Sequence, residues 1–320
     1  MAPTTINKKE WLSLLDALFR AEIPAETNSL AVAANYHFKN PGKSFRAQLA
    51  FSTGEALNLD DKEILYWAAA CELLHNASLI HDDISDASDY RRGQKSVCAQ
   101  FGNDMALCLG DWMVAKSFEL AARHPIYGSK LVALLAQSMQ DTCAGQTADI
   151  HRNRLSTEDC WQHIARNKTA PLLIAPVLGA AIIAGRESDS EALIHIIDLC
   201  GLAYQGLNDI DDIIPSSHRS ADLWGRKPNL VISLFAERVS SSGEFSDWYH
   251  SGDCSRVAQW QQRIASSEAI LMAHQQVEAW LAEANRANQL QSPPLQTVIN
   301  ELIQTVTPST KTAASQGYIA

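Results

Sequence analysis

A chain of 320 residues with 36 Asp and Glu against 26 Lys and Arg carries a net charge of -10. It lacks the basic excess that holds a nucleic-acid backbone, which excludes non-specific nucleic-acid binding. Its seven cysteines are odd in number and show no CxxC spacing, which predicts free thiols in a reducing, cytoplasmic setting, most of them filling helix interfaces. The length fits one single-core domain over residues 1–320, since no linker divides it.

Residues 1–10 hold Lys8 and Lys9 but no apolar leader segment, and are expected as a poorly ordered end before an amphipathic helix over 11–19. Apolar residues then recur at helical spacing over 30–34, 47–51, 63–79, 105–122, 130–139 and 161–167. The longest apolar run, 170–184, is short and interrupted by Pro171 and Pro176, so it predicts a buried helix and no membrane span. A helical pattern over 257–284 and a last helix after Pro293-Pro294 follow, with 306–320 expected to be poorly ordered. Loop signals fall at 40–42, 124–125, 185–186, 215–217 and 240–243. Period-two alternation is scarce, so the fold class is all-α.

Two acidic clusters carry the chemistry. In the first, an apolar run ends in His81-Asp82-Asp83-Ile84-Ser85-Asp86, with Arg91 and Arg92 close behind. If the helix continues to 86, Asp82 and Asp86 share a face with Asp83 beside them. Hard oxygens at that spacing suit Mg²⁺, which takes its other ligands from water and phosphate, and the arginine forks suit phosphate oxygens. A solvated acidic helix end before a basic turn would look the same. His81 fits either tuning of the ligands or helix packing. In the second cluster, Gln205, Asn208, Asp209 and Asp212 follow another apolar helix, with Asn208 and Asp212 four apart.

With both clusters in place, the chain resembles the trans-prenyl diphosphate synthases over residues 43–230. Further motifs match that family in order: Gly42-Lys43-Ser44-Phe45-Arg46, His75, Gly145-Gln146 with Asp149, Lys168-Thr169, and Asp222-Leu223 with Lys227. The resemblance implies a helical bundle of the isoprenoid-synthase type around a central cavity, with the acidic motifs facing each other. It implies metal ligation by Asp82, Asp83, Asp86, Asn208, Asp209 and Asp212, with roughly three Mg²⁺ ions. Lys43, Arg46, His75 and Arg92 would bind isopentenyl diphosphate; Arg91, Lys168 and Lys227 the allylic prenyl diphosphate, with Thr169 and Gln205 also in contact with substrate. Asp82, Asp86, Lys168 and Asp212 would then be the catalytic set, and a homodimer built on residues 105–118 is implied.

The chain departs from the pattern at Asn208, which replaces an aspartate, at Ser44 and Ala47, and at Arg226, which stands in a glycine position. Asparagine still offers Mg²⁺ a carbonyl oxygen, with one charge fewer. In a fold of the isoprenoid-synthase type the growing chain would extend into a tunnel below the first acidic motif, and small Ala77 and Ser78 there imply an open floor and a geranylgeranyl or longer product. The reaction implied is condensation of isopentenyl diphosphate with an allylic prenyl diphosphate. Two rivals are a class I terpene cyclase on the same fold, which would not need Lys43, Arg46, His75 and Arg92, and a non-catalytic synthase subunit, which would have shed the acidic motif.

Overall fold

The computed structural model describes residues 8–24, 28–150, 155–214, 219–239 and 243–307. They group into two compact units. The first holds the described residues up to Gln137 with Ala175–Glu187, and the second holds Ser138–Ile174 with those from Ser188 onward.

The first unit contains α1 (Lys8–Glu22), α2 (Ser29–Phe38), α3 (Phe45–Ala56), α4 (Asp61–Ser85), a hairpin of β1 (Tyr90–Arg91) and β2 (Gln94–Lys95), α5 (Val97–Phe101) and α6 (Asn103–Ala122). It also takes the start of α7 (Gly128–Ile150) and the end of α8 (Glu158–Ile183). Helix α4 is its axis. The Asp60 side chain caps it by accepting from Lys62 N at 2.9 Å, and Asp61 and Glu63 add negative charge to its first turn. Every residue from Trp67 to Ala77 is buried, so α4 is enclosed on all sides and packs on α3 and α6. A Cβ at Gly179 would lie 2.0 Å from the Trp67 ring, so only glycine lets α8 approach there.

Helix α8 joins the separately predicted stretches 161–167 and 170–184 into one helix running through both prolines. Each proline removes a backbone donor, and the Pro176 carbonyl finds a tertiary donor in Trp67 Nε1 at 2.9 Å.

The second unit takes the rest of α7 and α8, then α9 (Ser190–Ile213), α10 (Ala221–Gly225), α11 (Leu230–Leu234), α12 (Glu244–Ser251), α13 (Val257–Ala265), α14 (Glu268–Asn288) and α15 (Pro293–Val306). Helix α9 packs on α14, α11 and α15, and Trp161 stacks on Trp280 at 5.9 Å between ring centres. The continuous pattern predicted over 257–284 breaks at Ser266, because Ser267 turns its hydroxyl to Ala269 N and starts α14 afresh.

No helix among the described residues is long and apolar enough to cross a membrane. All seven cysteines are free, but Cys108, Cys143 and Cys160 are exposed and only Cys71 and Cys200 are buried. The expectation that most would fill helix interfaces is therefore corrected: these three sit on the outward faces of their amphipathic helices. Helix α1 starts at Lys8 and α15 reaches Val306; residues 1–7 and 308–320, and the loop signals at 215–217 and 240–242, lie outside the described residues.

Candidate active site

The chain reverses sharply where α4 ends. Ala87 adopts a left-handed φ of 50°, and Ser88 N reaches back to Asp83 O at 2.9 Å, a six-to-one closure that stops the helix. The two-residue turn Arg92-Gly93 follows with φ of 51° and 76°, the primed geometry that joins twisted strands tightly. This turn folds both arginines back along α4. Arg91 donates to Asp83 Oδ1 from Nε at 3.0 Å and Nη2 at 2.6 Å, and Nη2 lies 3.6 Å from Asp82 Oδ2. Asp83 is buried, and burial outweighs the Arg91 contact to hold its pKa above the usual carboxylate value. Asp82 and Asp86 remain partly exposed, with Asp86 N bonded to Asp82 O at 2.8 Å, so the helical register predicted for them persists to the cap.

Arg92 turns the other way. It donates from Nη1 to Asn40 O at 3.3 Å and Asn76 Oδ1 at 3.2 Å. Its guanidinium passes over Gly42, where a Cβ would come within 2.7 Å and where φ is 75°. The glycine before Lys43 is thus required by Arg92. Arg46 Nη1 donates to His75 Nε2 at 2.8 Å, both residues being buried. Burial first, and then the arginine charges, hold His75 well below the usual histidine pKa, so it is neutral and accepts from Arg46. Beneath them lies Glu72, 1% exposed, accepting from Ala47 N at 3.1 Å and from Asn76 Nδ2 at 3.3 Å. His37 Nε2 donates to Asn76 Oδ1 at 2.8 Å. Lys43 is exposed beside this network. On the same helix Ala77 is fully buried, and Ser78 is half-buried with its hydroxyl on His75 O at 2.8 Å.

The second unit gathers the other cations. A Cβ at Gly145 would strike Lys168 N at 2.5 Å, so the glycine of α7 allows α8 to cross there. Lys168 then reaches Asp149 as an ion pair. Lys168, Thr169, Gln205 and Lys227 line one cavity of about 90 Å³ with Asp149, Asp222 and Trp161. Burial, followed by the Asp212 charge, pushes Asp222 up to about 6.

Asp212 and Asn208 keep outward positions on α9. Asp212 accepts from the Ser220 hydroxyl and from Ala221 N at 2.8 Å, capping α10. Asp209, predicted among the metal ligands, is corrected. It is 1% exposed and accepts from Trp161 Nε1 at 2.7 Å, Leu230 N at 2.7 Å and Gln205 Nε2 at 2.9 Å. One step of about 100° round the helix from Asn208 turns it into the core, where burial pushes its pKa well up. His81 also resolves to packing: a Cβ at Gly110 would lie 2.2 Å from its Nε2, which stands 3.4 Å from Asp111.

Among the described residues no three His, Cys, Asp or Glu side chains form a metal cage by themselves. The partly exposed carboxylates Asp82 and Asp86, and the Asp212 carboxylate with the Asn208 amide, are sets of hard oxygens with room for further ligands. That fits Mg²⁺, which binds through one or two carboxylates and completes its shell with water and substrate phosphate.

Residues 27–262 match the family model described as polyprenyl synthetase. The chain belongs to the polyprenyl synthetase family. It is 31% identical over 245 residues to a short chain isoprenyl diphosphate synthase of Methanothermobacter thermautotrophicus, covering 72% of this chain and 75% of that one. A short chain isoprenyl diphosphate synthase of Methanocaldococcus jannaschii is 36% identical over 177 residues, about half (54%) of each chain. The solved geranylgeranyl pyrophosphate synthetase of Pyrococcus horikoshii superposes with a TM-score of 0.83 at 25% identity, over 93% of this chain and 96% of that one. The architecture of this chain is therefore the prenyl-synthase helical fold.

Sequence reading missed the groups that support these side chains: Glu72, Asn76 and His37 in one unit, and Trp161 and Ser220 in the other. Glu72 left a signal, as a carboxylate inside the apolar run 64–80. Of the others, His37 and Trp161 find their partners 39 and 48 positions away, and Ser220 meets Asp212 only because the chain turns back after α9.

Proposed function

We propose that this member of the polyprenyl synthetase family condenses isopentenyl diphosphate with an allylic prenyl diphosphate, giving geranylgeranyl diphosphate or a longer trans-polyprenyl diphosphate. Prenyl transfer is the family's chemistry. The observation that carries this form of it is the network of buried Arg46, His75 and Asn76 with half-buried Arg92 over Glu72. A terpene cyclase has no use for such a cationic pocket, whereas a second diphosphate substrate needs it.

Arg46 and Arg92, with Lys43 at the surface, hold the isopentenyl diphosphate, and neutral His75 fixes the direction of Arg46. Arg91 holds the allylic diphosphate; Asp83 fixes Arg91. Lys168 and Lys227 supply positive charge to the departing diphosphate, with Thr169 and Gln205 beside them. Asp82 and Asp86, and Asp212 with Asn208, would hold Mg²⁺, roughly three ions, which would supply Lewis acidity toward that leaving group. Cationic side chains fixed before substrate arrives stabilise developing charge without reorganising. The allylic carbon–oxygen bond breaks with its electron pair leaving on diphosphate. The isopentenyl alkene then adds to the allylic cation, and the released diphosphate accepts the proton lost. No covalent enzyme intermediate is needed.

The protein is further proposed to work as one domain in the cytoplasm and as a two-fold homodimer. The 105–118 face contributes exposed Leu107 and partly exposed Trp112 and Val114 to such a contact, whereas Leu109 and Met113 are buried in the unit's own core. Incubation with isopentenyl diphosphate and farnesyl diphosphate tests the activity. A longer diphosphate is expected; a hydrocarbon or alcohol would mark a cyclase, and no product a non-catalytic subunit.

A further inference from the structure

Arg226 stands where the resemblance puts glycine, and its conformation explains why a glycine position can take it. It caps α10 with φ 55° and ψ 38°, a left-handed geometry that comes at an energetic cost to a non-glycine residue. The side chain offsets that cost. Buried to 4% exposure, it donates Nη1 to Leu223 O at 2.6 Å, Nε to Tyr249 O at 3.0 Å and Nη2 to Asp253 O at 2.8 Å. The guanidinium lies 4.1 Å from the Trp248 ring centre and 5.1 Å from that of Tyr249. One cation thus serves the carbonyl ends of two short helices, α10 and α12. A five-residue helix cannot hold its own direction.

The next residue is Lys227. Its backbone N–H joins Asp222 O at 2.9 Å, its carbonyl accepts from the Tyr249 hydroxyl at 3.5 Å, and its side chain lines the cavity shared with Lys168 and Asp222. Lys168 is ion-paired to Asp149, and the Lys227 charge acts on Asp222 in the same cavity. A long flexible side chain keeps such a place only if its backbone is held, and a loose α10 turn would let Lys227 swing toward water. We propose that Arg226 is a positioning residue that ties the α10 turn to α12 and thereby holds Lys227 at this cavity, where a diphosphate group binds. This rests on the prenyl-transfer function proposed above.

The test compares Arg226→Gly, which keeps the left-handed turn, with Arg226→Lys, which keeps the charge without the planar fork. Arg226→Gly should raise the allylic KM about tenfold and leave the isopentenyl KM unchanged, and Arg226→Lys should give most of that rise. In a Lys227→Ala background, Arg226→Gly should add nothing further, because both act through one group. Unchanged KM values, with activity scaling only with the folded fraction, would overturn the inference, as would a full additional effect in the Lys227→Ala background. Calorimetric binding of inorganic pyrophosphate separates the two proposals. If the wild type makes no prenyl product, the prenyl-transfer proposal fails. Weaker pyrophosphate binding by Arg226→Gly than by wild type still supports the positioning role, and equal binding overturns it.

Discussion

Arg91 grips one oxygen of Asp83 with two nitrogens, at 3.0 and 2.6 Å, and only approaches Asp82, at 3.6 Å. The middle aspartate of the first acidic motif is thereby committed to an arginine, while Asp82 and Asp86 stay partly exposed.

These two kinds of aspartate should fail differently. Asp82→Ala should abolish turnover with circular dichroism unchanged. Asp83→Asn should loosen Arg91 and raise the allylic KM about tenfold, the worth of one charge-assisted hydrogen bond, with the Mg²⁺ concentration for half-maximal rate nearly unchanged. Steady-state kinetics across a Mg²⁺ titration tells them apart. A large shift in Mg²⁺ requirement for Asp83→Asn would make it a direct ligand.

Asp209 should matter to the fold. Asp209→Ala strands the donors of Trp161, Leu230 and Gln205, and losing partners for buried donors costs about 1–3 kcal/mol each, with partial relief by water. A loss of about 3–5 kcal/mol in urea unfolding is expected. Asp209→Asn, which keeps an acceptor, should lose less. Normal stability with a raised Mg²⁺ requirement would restore Asp209 to the metal shell.

Most helices and both acidic motifs were legible because their signals are local: spacing of apolar residues, Asp82 four before Asp86, Asn208 four before Asp212. What escaped depends on contacts between distant segments. Asp209 reads like its neighbours until the phase of α9 turns it onto Trp161, 48 positions earlier. The hairpin that aims Arg91 and Arg92 in opposite directions rests on two positive φ angles, one of them at an arginine, which no turn preference signals. Glu72 was visible as an oddity, but its role needed Ala47 and Asn76 around it.

Acid should weaken the first unit through its buried histidines. Burial drives the His37 pKa down to about 4, against the opposing bond to Asn76 and with the Arg92 charge adding to the drop. His75 is depressed too. In the unfolded chain these groups take protons near pH 6.5 while the folded protein does not, so stability falls as pH drops from about 6.5 toward 4. Each histidine contributes a slope of at most about 1.4 kcal/mol per pH unit in that window. Burial pushes Glu72 and Asp83 the other way, so the informative quantity is the difference between wild type and His37→Gln. That difference, followed by chemical unfolding, should shrink the acid slope by about one proton. Parallel curves would place a charged His37 in the folded state.

Product length should answer to Ala77. It lies five residues before Asp82, roughly 7.5 Å along α4 at helical rise, and is fully buried in a helix that packs on α6, where Leu109 and Met113 are buried as well. A prenyl chain growing away from the first acidic motif along α4 meets this position early. Ala77→Phe adds a ring to a fully buried site, which costs about 1–3 kcal/mol of stability and pushes bulk into the path along α4 that further prenyl units would follow. Ser78, half-buried, should accept the same ring at less cost, so Ser78→Phe separates blockage from destabilisation. Both variants should shift the main product from geranylgeranyl or longer toward farnesyl, read by chromatography after dephosphorylation. An unchanged product length in a folded Ala77→Phe protein would show that the chain takes another path, and a wild-type product that already stops at farnesyl would put the floor at a different residue.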